Sequence, residues 1–135
     1  MRVLDSFALI VFLDRQPGWE IVQKHLFDAI EHGFTHWVSA MNYGELYYTD
    51  AIKNGFEHAE QTLELADLLP IQIHTPSFEQ IMEAAHLKGG VKASYADCFT
   101  AALALEKNLP VLTGDPEFKR LEEFGVKVEW LPNIR

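Results

Sequence analysis

Short apolar runs alternate with longer segments of helical periodicity from one end of this chain to the other, and no other feature limits its fold so strongly. Arg2-Val-Leu-Asp5, Thr35-His-Trp-Val38, Ile71-Gln-Ile73, Val111-Leu-Thr113 and Val126-Lys-Val-Glu-Trp130 read as five strands. Between them, Trp19, Val22, Leu26 and Ile30 recur at helical spacing ahead of Gly33, which suits a C-cap. Ser6 to Leu13 reads as a short buried helix, and Ser39 caps a helix reaching about Ile52. Asn54-Gly55 breaks the chain before a further helix from Phe56 to Leu69. Thr75-Pro76 followed by Glu79 predicts a helix start with proline in the first helical position, and Gly89-Gly90 its stop. Tyr95 to Lys107 is alanine-rich and apolar on most faces, as a helix pressed between other elements would be, and Pro116 to Phe124 predicts a short last helix. Strands alternating with helical segments imply a parallel sheet covered on both faces, with ligands collecting beyond the carboxyl ends of the strands. The expected fold class is therefore α/β.

At 135 residues the chain has the size of one domain, residues 1–135, and 48% apolar content is enough for a proper core. No apolar stretch approaches the roughly 20 residues of a membrane span. The run Phe7 to Leu13 is too short, and Asp5 stands where a signal peptide would carry a basic residue, so a cytoplasmic location is expected. Cys98 is the only cysteine, which excludes an internal disulfide and suits a reducing compartment. Residues 41–85 hold eight acids and one base, whereas residues 86–135 hold seven of each. An acidic chain of net charge −9 attracts no nucleic acid by bulk charge, so RNA or DNA would approach past Lys88, Lys92, Lys119 or Arg120, or through a bound metal. A basic protein partner suits the acidic middle equally well.

Four acids stand where strands end or helices begin: Asp5, Glu45, Asp97 and Asp115. Each has a sufficient structural explanation when taken singly. Asp5 can cap the helix from Ser6, Asp115 before Pro116 is a good cap, Ser94-Tyr-Ala-Asp97 has capping-box spacing, and Glu45 reads as a first-turn acid. Together they ask for more. Asp97 and Glu45 lie among residues apolar enough to be buried, and buried carboxylates need partners. Lys92 is the main local candidate to pair with Asp97. Carboxylates without accompanying histidine or cysteine favour Mg²⁺ or Mn²⁺ over zinc. Such an ion would activate water against a phosphodiester, with Ser6 and Thr113 supplying hydroxyls beside the acids. The histidines show no ligand spacing, Gly89-Gly90 lacks a phosphate-loop pattern, and Tyr43, Tyr47 and Tyr48 read as core before base-stacking residues.

Four segments in this order resemble the PIN-domain ribonucleases, most closely the VapC-type toxins of toxin–antitoxin pairs. They are Val3-Leu-Asp5-Ser6, Ser39-Ala-Met-Asn42-Tyr-Gly-Glu45-Leu, Ser94-Tyr-Ala-Asp97-Cys-Phe-Thr-Ala-Ala-Leu-Ala and Leu112-Thr113-Gly-Asp115-Pro-Glu-Phe118. The resemblance implies a three-layer α/β/α sandwich around a mainly parallel sheet of about five strands. It implies a Mg²⁺- or Mn²⁺-dependent endoribonuclease whose metal-binding and catalytic acids are Asp5, Glu45, Asp97 and Asp115, supported by Ser6, Asn42 and Thr113. It implies a homodimer, an RNA substrate and a cognate antitoxin partner. The chain departs from the family at Phe7, where a small polar residue is common, and at Glu117, where some members carry another aspartate.

Three other readings compete. One is a PIN-like nuclease in RNA processing outside a toxin pair. A haloacid-dehalogenase-like phosphatase also places an aspartate after its first strand but wants a second one two residues on, where Phe7 stands. A receiver-like domain would use the acidic pocket only to bind a partner.

Overall fold

The computed structural model describes residues 1–133. Its five strands are β1 (Val3–Leu4), β2 (His36–Ser39), β3 (Ile71–His74), β4 (Val111–Thr113) and β5 (Val128–Trp130), all parallel in the order β3-β2-β1-β4-β5. The helices are α1 (Ser6–Leu13), α2 (Trp19–His32), α3 (Ala40–Asn54), α4 (Phe56–Ala66), α5 (Phe78–Gly90), α6 (Tyr95–Lys107) and α7 (Phe118–Leu121), the last continued by a 3₁₀ turn over Glu122–Phe124.

Strand pleating divides the core in two. Val3 and Val111 pack with α5, α6 and α7, while Leu4 and Leu112 pack with α1, α2, α3 and α4. Central strands buried on both faces read as unbroken apolar runs, which is why Val3-Leu4 and Val111-Leu112 carry no polar alternation. The result is the expected three-layer sandwich. Among the described residues no helix is long and apolar enough to cross a membrane.

Element boundaries moved where local chemistry competed with pattern. α4 ends at Ala66 and not at Leu69, because Pro70 disfavours helical backbone in the residue before it. Ser77, not Thr75, caps α5: its hydroxyl accepts the Gln80 N–H at 3.2 Å, leaving Pro76 outside the helix. The expected last helix begins at Phe118, after a turn at Pro116-Glu117, and β5 spans only Val128–Trp130. Ser39 caps α3 through the Met41 N–H, so that helix starts at Ala40 and Glu45 falls in its second turn, beyond the expected first.

The strand order reverses direction at β1, with β2 on one side and β4 on the other. Carboxyl ends of strands at such a switch point form the natural crevice of an open parallel sheet.

Candidate metal centre

Register brings the first two site residues together. Leu4 pairs with Leu112 across β1 and β4, so Asp5, the next residue, lies beside Thr113. The Thr113 hydroxyl donates to Asp5 Oδ2 at 2.5 Å, and the other carboxylate oxygen accepts the Ala8 N–H at 2.9 Å. Asp5 is thus the helix cap that its position implied, and it acts on the neighbouring acids through its charge while lying outside the group that converges most closely. It is buried at 1% exposure. Burial pushes its carboxyl up to about 7, against the lowering effect of the two hydrogen bonds, and the charges of Asp115 and Glu45 raise it further.

Asp97 enters from α6, 4% exposed. Ser94 caps this helix by accepting the Asp97 N–H at 3.1 Å. The Asp97 side chain points among other acids. Carboxylate oxygens of Asp97, Asp115 and Glu117 all lie within 4.8 Å of one another. Burial is the main reason that Asp97 titrates far above the carboxylate range, at about 9. Asp115 and Asp5 add repulsion, a hydrogen bond shared with Asp115 favours the protonated form, and the charge of Glu117 adds further repulsion.

The turn after β4 is internally braced. Thr113 Oγ1 accepts the Asp115 N–H at 3.0 Å, and Asp115 Oδ1 accepts the Glu117 N–H at 3.0 Å. Glu117 then reaches across to the start of α6, where its Oε2 accepts the Ser94 N–H at 2.6 Å. Arg120 makes a parallel tie to the Lys92 carbonyl at 2.8 Å. Lys92 does not pair with Asp97 as its position in the sequence allowed. Among the described residues no ion pair reaches any of these five acids.

Glu45 stands at the border of the group. It is half-buried, accepts from the Ser6 hydroxyl at 2.5 Å, and acts on Asp5 through charge, but lies outside the compact triad. Asn42, one turn earlier on α3, is fully buried. Its Oδ1 accepts from the Ser6 N–H at 3.1 Å and the Thr100 hydroxyl at 2.9 Å, and its amide donates to the Ala96 carbonyl at 3.2 Å. One side chain therefore fastens α1, which Asp5 caps, to α3 and α6, which carry Glu45 and Asp97.

Sequence reasoning missed Glu117 as a member of the cluster and Thr100 as a partner of Asn42. The Asp115-x-Glu117 spacing was the available signal, yet only the fold shows that this turn faces Asp97. The donor set is all oxygen, three carboxylates converge, and burial and neighbouring acids hold Asp5 and Asp97 toward their neutral forms. These residues fit a hard divalent ion such as Mg²⁺ or Mn²⁺. The tyrosines divide: Tyr43 is half-buried with its hydroxyl on Asp67, Tyr47 stacks on Phe56 and donates to Glu60, and Tyr48 is exposed rather than core.

A family model described as PIN domain matches residues 2–123. In fold the chain is similar to a chain of VapBC2 from Rickettsia felis bound to a DNA fragment from their promoter, at a TM-score of 0.76 and 17% identity, covering 97% of this chain and 98% of that one. It is also similar to Mycobacterium tuberculosis VapC20, a Sarcin-Ricin loop cleaving toxin, at 0.72 and 12%, covering 98% and 100%. FitAcB from Neisseria gonorrhoeae matches at 0.70 and 22%, covering 95% and 96%. At such identities the likeness is one of fold. No curated protein sequence matches the chain.

Proposed function

The chain belongs to the PIN domain family, and from that premise we propose that it is a metal-dependent endoribonuclease, the toxin of a toxin–antitoxin pair. The observation that carries this reading is the convergence of Asp97, Asp115 and Glu117 at the switch point, beside a buried Asp5 and, among the described residues, without an ion pair to any of them. Asp97, Asp115 and Glu117 would hold the divalent ion, with Asp5 and Glu45 adding negative charge around it. A bound Mg²⁺ or Mn²⁺ lowers the pKa of a coordinated water and offsets charge building on a phosphodiester.

The rest is the work of the chain's own residues. Thr113 orients Asp5, Ser6 orients Glu45, and Asn42 keeps their helices in register, so the carboxylates are positioned before substrate arrives. Phe7 fills the place where the phosphatase reading needs a second aspartate, so that reading lacks its acid. A cognate antitoxin with a basic tail suits the acidic pocket and the −7 balance of residues 41–85, and VapBC complexes among the similar structures support such a partner. The reading also includes a homodimer and a cytoplasmic location, where RNA is available.

The test is cleavage of a panel of structured and single-stranded RNAs in Mn²⁺, Mg²⁺ or chelator, beside the Asp97→Asn variant. Cutting is expected with metal and wild-type protein only. Cutting that persists in chelator, or in the variant, contradicts the mechanism. A small DNA-binding protein encoded next to this gene is expected for a toxin, and its absence favours RNA processing outside such a pair.

A further inference from the structure

The acids act on a phosphate but offer a base nothing to rest on, and a cavity beside them does. It measures about 360 Å³, within the usual range of small-ligand sites, and is lined by Gly114, Pro116, Lys119, Trp130, Leu131 and Asn133. Gly114 and Pro116 flank Asp115, so the cavity and the triad share one stretch of backbone. Trp130 ends the edge strand β5, level with Thr113 in the register, and is 39% exposed, the most exposed of the chain's three tryptophans.

This wall is fixed in place. The Leu131 N–H donates to the Thr113 carbonyl at 2.8 Å, extending the β4–β5 ladder past the strand. Pro132 presses on the turn before α2 so closely that a Cβ at Gly18 would sit 2.9 Å from its ring. Gly114 is equally confined, because a Cβ there would lie 2.4 Å from the Phe7 ring and 3.1 Å from the Leu131 carbonyl. The cavity also holds a free cation: among the described residues Lys119 makes no ion pair, whereas its neighbour Arg120 is committed to Lys92. A flat aromatic, an uncommitted ammonium and an amide therefore stand together within a strongly acidic protein.

We infer that this cavity seats one nucleobase of the RNA strand adjoining the scissile phosphate, stacked on Trp130. Lys119 meets the neighbouring phosphate, and the Asn133 amide supplies both a donor and an acceptor for the base edge. The inference rests on the ribonuclease reading and adds a subsite to it. Stacking tolerates any base, so Trp130 contributes affinity while Asn133 contributes discrimination.

Binding of a dye-labelled single-stranded RNA to the Asp97→Asn protein, read by fluorescence polarisation, tests it. Adding Trp130→Ala should weaken binding by about 5- to 150-fold, from the roughly 1–3 kcal/mol that one stacked base contributes, and Trp130→Tyr should restore most of it. In the cleavage-competent protein the loss should fall on KM. A second arm leaves the protein unaltered and moves a single abasic site along the RNA: the loss should concentrate at one nucleotide and vanish in the Trp130→Ala background. Unchanged affinity and KM in a folded Trp130→Ala variant, no rescue by tyrosine, or equal losses at every abasic position would overturn the subsite while cleavage by the wild type stands. If wild-type protein cuts no RNA in Mn²⁺, the ribonuclease reading fails, and the subsite with it.

Discussion

Asp50 and Asp97 are both crowded aspartates on neighbouring helices, and they titrate in opposite directions. Burial works to raise Asp50, but hydrogen bonds from Thr62, Asn54 and His58 outweigh it and hold the carboxyl below its ordinary value. Asp97 is buried more deeply, shares its one side-chain hydrogen bond with another acid, faces Asp115, Asp5 and Glu117, and is driven up to about 9. One group is surrounded by partners that complete it. The other is surrounded by copies of its own charge, an arrangement that stability alone does not select.

The comparison breaks most sharply at Asp97 itself. Asp97→Asn should lower metal-dependent RNA cleavage by about a thousandfold, several kcal/mol of lost charge stabilisation, measured as single-turnover rates. The same variant should melt higher than wild type at pH 8 in chelator, because it removes a group that is ionised in the unfolded chain and must take up a proton to fold. A variant that loses both activity and stability would place Asp97 with Asp50, as a structural residue.

Next in size is Asn42→Ala, which removes three hydrogen bonds joining α1, α3 and α6. Leaving their partners buried should cost about 2–4 kcal/mol in urea denaturation, at about 1–3 kcal/mol for each unsatisfied group and partial relaxation. Cleavage should fall along with it.

The pH dependence of the metal-free protein follows from signs. The folded-state values of Asp5 and Asp97, about 7 and about 9, lie above the ordinary aspartate value of 3.8, so between these limits the folded state keeps protons that the unfolded state has released. Stability should therefore be fullest near pH 4 and fall as pH rises, through about 7 for Asp5 and about 9 for Asp97. Asp50 runs the other way: its contribution is present above its unfolded value and lost as pH drops through its lowered folded value. Thermal melts across pH 4.5–9 should slope downward in chelator, and Mn²⁺ should raise the melting temperature more at pH 8 than at pH 5.5. A flat profile in chelator contradicts the assignment.

The smallest effect is Asp50→Asn, about 0.5–1 kcal/mol for hydrogen bonds at a partly solvated site, with cleavage and metal response unchanged. Loss of metal binding there would erase the distinction between the two regions.

Much of this was legible before any coordinates. Alternating strands and helices dictate a parallel sheet, and an acid just past a central strand serves capping and ligand binding alike, as Asp5 does. Glu45 and Asp97 are set in helical segments apolar enough to bury both. The buried pair is instead Asp5 and Asp97, because the centre of a sheet buries what its sequence neighbours do not predict. Glu117 was legible only as a departure from a family pattern, since its place depends on a turn after β4 meeting the start of α6, two elements that approach only in the folded chain. The ends of α4 and α5 were misplaced where a proline and a serine hydroxyl act over one or two residues, a scale that periodicity does not resolve.

The central claim is that the repelled carboxylates await a divalent cation. Isothermal titration of Mn²⁺ at pH 7.5, repeated in buffers of different ionisation enthalpy, reads both binding and the protons released. Wild-type protein and Asp50→Asn should bind Mn²⁺ with release of protons, and Asp97→Asn should bind far more weakly. Equal binding by Asp97→Asn and wild type, or binding without proton release, would contradict the account.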